Sequence, residues 1–162
     1  MKVMRLLSSL KHDESERGIF HLGRALVKNE HTSIIISSAD EDNDLVRRLK
    51  RDGNHYHQLY MNKKSWLSLL QVAPLRRLIE KYDPDIIHVH SRTPAWILHL
   101  ALRRARVKRR PKLVSTMYGF YPINKYSQAL LDVDTIITVS DSVTDYLKKG
   151  LRREELDPRV IK

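Results

Sequence analysis

Short β-branched apolar runs alternate along this chain with longer segments of helical spacing. Lys2 to Ser9 reads as a first strand, and the polar run Lys11 to Ser15 as the loop after it. Between Arg17 and Lys28 the apolar positions Ile19, Leu22, Leu26 and Val27 predict a helix, with Ser15 placed to cap it and Gly18 a weak spot near its start. Thr32 to Ser37 predicts a second strand, Asp44 to Arg51 a helix ended by Gly53, and Tyr56 to Met61 a third strand. Ser65 to Tyr82 reads as one long amphipathic helix, kinked or broken at Pro74.

Asp85-Ile86-Ile87-His88-Val89-His90-Ser91-Arg92 follows Pro84 and stops before Thr93-Pro94. A β-branched run between prolines predicts a fourth strand, buried on both faces. Its polar residues gather at the carboxyl end, where open α/β sheets hold their ligands. Pro94 to Arg104 is the following helix, with Pro94 suited to a first turn. Lys112 to Met117 is a fifth strand, Tyr118 to Ile123 an aromatic loop, and Lys125 to Leu131 a short helix. Thr135 to Ser140 is a sixth strand. Ser140 is placed to cap the helix Asp141 to Lys149, which Gly150 stops. The tail Asp157 to Lys162 begins a seventh strand. This alternation predicts an α/β fold with a single Rossmann-like, doubly wound parallel sheet, in one domain spanning 1–162.

Charge changes the picture next. The chain has 162 residues, with 30 Lys+Arg against 19 Asp+Glu and a net charge of +11. Such an excess implies an anionic partner: nucleic acid, acidic lipid or a phosphorylated ligand. Arg103, Arg104, Arg106, Lys108, Arg109, Arg110 and Lys112 form a run with no acid, readable as a solvated helix end or as an anionic-surface contact. No aromatic lies within it to stack bases, which disfavours nucleic acid. Trp66, Leu67, Leu69 and Leu70, next to Lys63 and Lys64, could enter a membrane interface or face the core. There is no cysteine, hence no disulfide framework and no thiolate metal site. No apolar run reaches the ~20 residues needed to span a bilayer. The expected location is cytoplasmic, with peripheral attachment to the inner membrane as the further expectation.

The chemistry-bearing residues cluster at predicted strand ends. His88 and His90 share a strand face, but the sequence offers no third ligand nearby, so no metal is expected. His88 reads as a hydrogen-bonded histidine at the sheet edge, and His90, nearer the strand end, as the site candidate. The first strand-to-helix loop has no glycine before Gly18, which excludes the dinucleotide fingerprint and the P-loop. A helix amino terminus near Ser15 favours an anion, whereas Asp13 and Glu14 oppose one. In Tyr118-Gly119-Phe120-Tyr121-Pro122, Gly119 permits close backbone approach, and the aromatics suit either a sugar face or loop packing.

Several short motifs follow in order: Leu6-Leu7-Ser8-Ser9-Leu10, Glu16-Arg17-Gly18, Arg24-Ala25-Leu26-Val27, Pro74-Leu75-Arg76-Arg77-Leu78, Pro84 to Arg92, Pro94-Ala95-Trp96, Gly119-Phe120-Tyr121, Tyr126-Ser127 and Val139-Ser140. In order and spacing they resemble the N-terminal half of family 4 glycosyltransferases of the two-Rossmann-domain (GT-B) type. The segment Ser91 to Trp96 resembles bacterial members linked to lipopolysaccharide and other cell-surface glycans. The resemblance implies that this half holds the acceptor, and that the nucleotide-sugar binds a second domain through a carboxylate pair spaced E-x7-E. It also implies retention of anomeric configuration without a metal or a cofactor of this half's own. That second domain is expected to lie outside these 162 residues, which alone would then transfer no sugar.

Three positions depart from the family pattern. Asp13 and Glu14 stand where the family has glycines, and Tyr118 stands where it has a histidine. The cleft residues that follow are His90, Ser91, Arg92, Tyr118 and Gly119, with Ser140 on the far wall and Asp13, Glu14 and Ser15 in the first loop. Expected partners are an anionic membrane surface or a phosphorylated or lipid-linked acceptor, and a separate donor-binding domain. The rival expectations are a non-catalytic glycan- or membrane-binding module and, less favoured, a basic nucleic-acid-binding protein. The strand-end surface is expected to be an open cleft.

Overall fold

All seven strands among the described residues run parallel in one sheet, in the order β3-β2-β1-β4-β5-β6-β7. The computed structural model describes residues 1–10, 14–62, 66–122, 124–150 and 160–161. The strands are β1 (Lys2–Leu6), β2 (Thr32–Ser37), β3 (His55–Gln58), β4 (Ile86–Val89), β5 (Lys112–Met117), β6 (Thr135–Thr138) and β7 (Val160–Ile161). The helices are α1 (Glu14–Lys28), α2 (Asp44–Arg51), α3 (Val72–Tyr82), α4 (Arg92–Leu102), α5 (Gln128–Leu131) and α6 (Asp141–Gly150). The order reverses direction between β1 and β4, the topological switch point at which such sheets open a crevice.

Period-two alternation divides the core between the two faces of the sheet. Met4, Leu6, Ile34, Ile36, Ile87 and Val89 point to one side and meet Leu75 and Ile79 of α3 and Ile97 and Leu98 of α4. Leu7, Ile35 and Tyr56 meet Ile19 and Phe20 of α1 and Leu45, Val46 and Leu49 of α2. Ile86, Val114 and Ile137 belong to this second face, but they stay half-buried.

Several boundaries differ from the sequence reading, each for a local reason. The expected long helix splits into a 3-10 helix, Trp66–Gln71, followed by α3. Pro74 falls in the first turn of α3, where a missing N–H leaves no intrahelical bond unmade. The fourth strand is shorter than expected, because Ser91 and Arg92 turn into α4. Helix α1 starts before Arg17, so Ser15 lies within its first turn instead of capping it. β3 lies upstream of the expected Tyr56–Met61 and stops at Gln58. Asn43 caps α2, its Oδ1 accepting from the Leu45 N–H at 2.8 Å. Ahead of α5, Asn124 Oδ1 accepts from the N–H groups of Tyr126 and Ser127, both at 3.0 Å, and this turn replaces the expected start of the helix at Lys125.

Beneath α1 the sheet buries an arginine. Arg5 is fully buried in β1. It donates from Nη1 to the Ile19 carbonyl at 2.6 Å, and from Nη2 to Ser33 Oγ at 3.1 Å and Asn54 Oδ1 at 3.4 Å. Gly23 makes room for this cluster: a Cβ there would lie 2.6 Å from both Arg5 Nη2 and Asn54 Oδ1.

Candidate functional site

The switch point brings the carboxyl end of β4 beside that of β1, and the His90 N–H donates to the Leu6 carbonyl at 3.0 Å. Parallel pairing of β4 with β5 sets His88 opposite Val114 and Val89 opposite Ser115. Each histidine leans past its paired position to the residue two further along, His88 to Thr116 and His90 to Tyr118. His90 Nδ1 lies 2.7 Å from the Tyr118 hydroxyl, with the two rings stacked 6.0 Å apart. His88 Nε2 lies 2.7 Å from Thr116 Oγ1, and the His88 and His90 rings are 4.1 Å apart. One row of side chains therefore runs from the buried interior to the rim.

Electrostatics hold both rings neutral. Burial, reinforced by the Arg5 charge, pushes His88 down to about 4. Burial, then His88 and Arg5, holds His90 well below the usual imidazole range. Arg5 itself is lowered to about 10 by burial, so it remains charged at neutral pH. His90 Nε2 is buried and has no hydrogen-bond partner among the described residues. The ring thus turns its bonded nitrogen toward Tyr118, and the Tyr118 hydroxyl is the outward member of the pair. Such a pair orients a ligand hydroxyl without titrating near pH 7.

Ser91 sits at the amino-terminal cap of α4 in extended conformation (φ −159°, ψ 160°), and its Oγ is buried without a partner among the described residues. Arg92 follows, its guanidinium 5.1 Å from the ring centres of both Tyr121 and Tyr126. Among the described residues no carboxylate pairs with Arg92. A cation held by aromatic faces at a helix amino terminus suits an anionic group on a ligand. Tyr126 and Thr93 share a hydroxyl–hydroxyl hydrogen bond, which ties the loop before α5 to α4.

The aromatic loop leans on α6. Phe120 meets Tyr146 edge to face at 5.3 Å, and the Tyr146 hydroxyl donates to the Tyr121 carbonyl at 2.8 Å. A Cβ at Gly119 would meet nothing within 4 Å, so this stretch of backbone borders open space. Ser140 Oγ accepts from the Val143 N–H at 3.3 Å and caps α6. Asp13 lies outside the described residues, as do the side chains of Glu14 and Ser15. Arg103, Arg104, Arg106, Lys108, Arg109 and Arg110 are all exposed. They begin at the far end of α4, about 16 Å from Arg92 at 1.5 Å per helical residue. The structure thus joins His90 to Tyr118 and Arg92 to the aromatic loop, and keeps the basic run separate.

Two contributors escape the sequence reading. Arg5 looks like an ordinary polar position in Lys2-Val3-Met4-Arg5-Leu6, and Thr116 like a routine strand residue. The signal available for Arg5 was a cation placed in an otherwise apolar strand. Among the described residues no cluster of three or more His, Asp or Glu is poised for a metal. No described helix is long and apolar enough to cross a membrane.

A parallel Rossmann-like sheet with polar residues gathered at its switch point defines a class of ligand-binding half-domains. Within that class the sequence profile of glycosyltransferase family 4 matches residues 15–161, and the chain belongs to that family. The chain is 31% identical to EpsD of Bacillus subtilis (strain 168), a glycosyltransferase by name, over 94 residues, which are 49% of this chain and 23% of EpsD. The crystal structure of a glycosyltransferase from Rickettsia africae superposes with a TM-score of 0.77 at 26% identity, covering 99% of this chain and 41% of that one. The lipopolysaccharide outer core galactosyltransferase WaaB shares the fold, with a TM-score of 0.73 at 13% identity, over 100% of this chain and 45% of its own. The chain thus spans less than half the length of each of these proteins.

Proposed function

We propose that these 162 residues form the acceptor-side half of a retaining GT-B glycosyltransferase. The acceptor would be a lipid-linked or cell-surface glycan at the inner face of a membrane. The observation that carries this reading is the neutral pair of His90, at the β1/β4 switch point, with Tyr118 at the end of β5, in a chain matched to family 4 over 15–161. A neutral pair suits an acceptor hydroxyl, which needs orientation and hydrogen bonding. Arg92 at the amino terminus of α4 suits a phosphate on the acceptor. The nucleotide-sugar belongs to a second domain with the E-x7-E carboxylates, and transfer requires both halves.

A second reading draws on Tyr118 itself. Tyrosine stands where the family's histidine meets the transferred sugar, and it cannot serve as a base near neutral pH. In that reading the domain binds glycan or membrane without catalysing transfer, or serves as one subunit of a split transferase. Incubating the chain with nucleotide-sugars and cell-envelope glycans, with and without a polypeptide carrying E-x7-E, separates the readings. Transfer only in the joint mixture supports the acceptor half, whether its donor domain belongs to the same polypeptide or to a separate subunit. Glycan binding with no transfer in any mixture supports the non-catalytic module.

A further inference from the structure

The 3-10 helix Trp66-Leu67-Ser68-Leu69-Leu70-Gln71 inverts the usual sorting of side chains. Its serine is buried, whereas Trp66, Leu67 and Leu70 are 72%, 53% and 62% exposed. Beside it on α4, Trp96 is 43% exposed. Between these elements runs a groove of about 300 Å³, whose walls include Trp66, Leu69 and Trp96. It continues past Trp96 into a second hollow of about 310 Å³ edged by Arg103 and Lys125, with the single carboxylate of Asp132. Both cations are exposed, and among the described residues neither has a carboxylate partner within ion-pair distance.

Leucines that protrude while a serine turns inward match a surface that sheds its apolar groups into another phase. Tryptophans beside them and cations at the margin fit the boundary between acyl chains and anionic headgroups. The chain's net charge of +11 favours such a surface and disfavours a basic or neutral protein partner. We infer that this face docks on an anionic lipid bilayer. Leu67 and Leu70 enter the acyl boundary, Trp66 and Trp96 lie at headgroup level, and Arg103 and Lys125 meet lipid phosphates. The inference rests on the membrane-linked acceptor reading and gives it a geometry. Helix α4 runs from the docking face to Arg92 at the cleft, so docking would hold the cleft beside the membrane.

The test is co-sedimentation of the 162-residue chain with phosphatidylcholine vesicles, with and without phosphatidylglycerol, alongside tryptophan fluorescence. The expected result is binding to the anionic vesicles with a blue shift in emission. A Leu67→Ser/Leu70→Ser double variant should melt at the parent's temperature and partition more weakly by about tenfold or more for each side chain. Equal binding by parent and double variant would overturn the inference, as would equal binding to neutral and anionic vesicles. So would a double variant whose only effect is to separate a dimer of the parent. Transfer to a lipid-free acceptor, assayed with the donor half present, reports on the catalytic reading alone. A parent chain that supports such transfer but does not bind anionic vesicles would therefore sink the docking face and leave the transferase reading standing.

Discussion

The Tyr118 hydroxyl lies 2.7 Å from His90 Nδ1, so one side chain at the end of β5 fixes the ring orientation of another at the end of β4. The pair joins the carboxyl ends of two neighbouring strands, β4 beside the switch point and β5. Tyr118 is also the partly exposed member, 38% accessible, through which the pair can reach a ligand.

Replacing Tyr118 with Phe keeps the ring and removes the hydroxyl. The fold should survive with a loss of about 1 kcal/mol, a typical net value for one hydrogen bond. Acceptor affinity should fall by about tenfold, because a bond of that kind is worth roughly 1.4 kcal/mol to a bound hydroxyl. Glycan titration of parent and variant, with urea denaturation as the control, measures both quantities.

Acid should destabilise the protein above the pH at which its carboxylates titrate. His88 has a folded value of about 4 against 6.5 for the free side chain, and His90 is lowered in the same direction. Between those values the unfolded chain binds protons that the folded chain refuses, so stability rises with pH through this window. It is fully present above about 6.5 and is lost progressively as pH falls toward 4. His88 alone contributes on the order of 3 kcal/mol over that range, at 1.36 kcal/mol per unit. Thermal melts at stepped pH should show this slope, and His88→Gln should flatten it.

Gly23 and Gly119 should respond oppositely to alanine. At Gly23 a Cβ would strike Arg5 Nη2 and Asn54 Oδ1, both at 2.6 Å. Arg5 is fully buried and bound to three oxygens, so it has little room to yield. Gly23→Ala should cost about 1–3 kcal/mol by overpacking. At Gly119 there is nothing within 4 Å, and the substitution should change stability by less than about 0.5 kcal/mol. Urea midpoints of the two variants decide the comparison.

Much of this fold was legible because its strands are short β-branched runs bounded by turns. Thr32–Ser37 and Lys112–Met117 match the sequence reading end for end, and so does helix Asp44–Arg51. The break expected near Pro74 falls between Gln71 and Val72, where the 3-10 helix gives way to α3 and Pro74 enters its first turn; composition could not tell a kink from such a new start. Arg5 was hidden for a different reason. Its burial depends on α1 supplying the Ile19 carbonyl and the turn after α2 supplying Asn54, which are distant in sequence. The placement of His90, Tyr118 and Ser140 at strand ends could be read from the sequence. The contact between His90 and Tyr118 needed the adjacency of β4 and β5, and the stacking of Arg92 on Tyr121 and Tyr126 needed the loop's actual path.

The central claim is that this half holds the acceptor and leaves the nucleotide-sugar to another domain. Its most direct test follows the histidine ring signals of the 162-residue chain by NMR during two titrations. One uses a panel of lipopolysaccharide core oligosaccharides and prenyl-phosphate-linked sugars, and the other a panel of nucleotide-sugars. The account predicts that an acceptor glycan moves the His90 signals and that Tyr118→Phe blunts the shift, while the nucleotide-sugars leave those signals in place. Saturable shifts of His90 with a nucleotide-sugar, and none with any glycan, would contradict it.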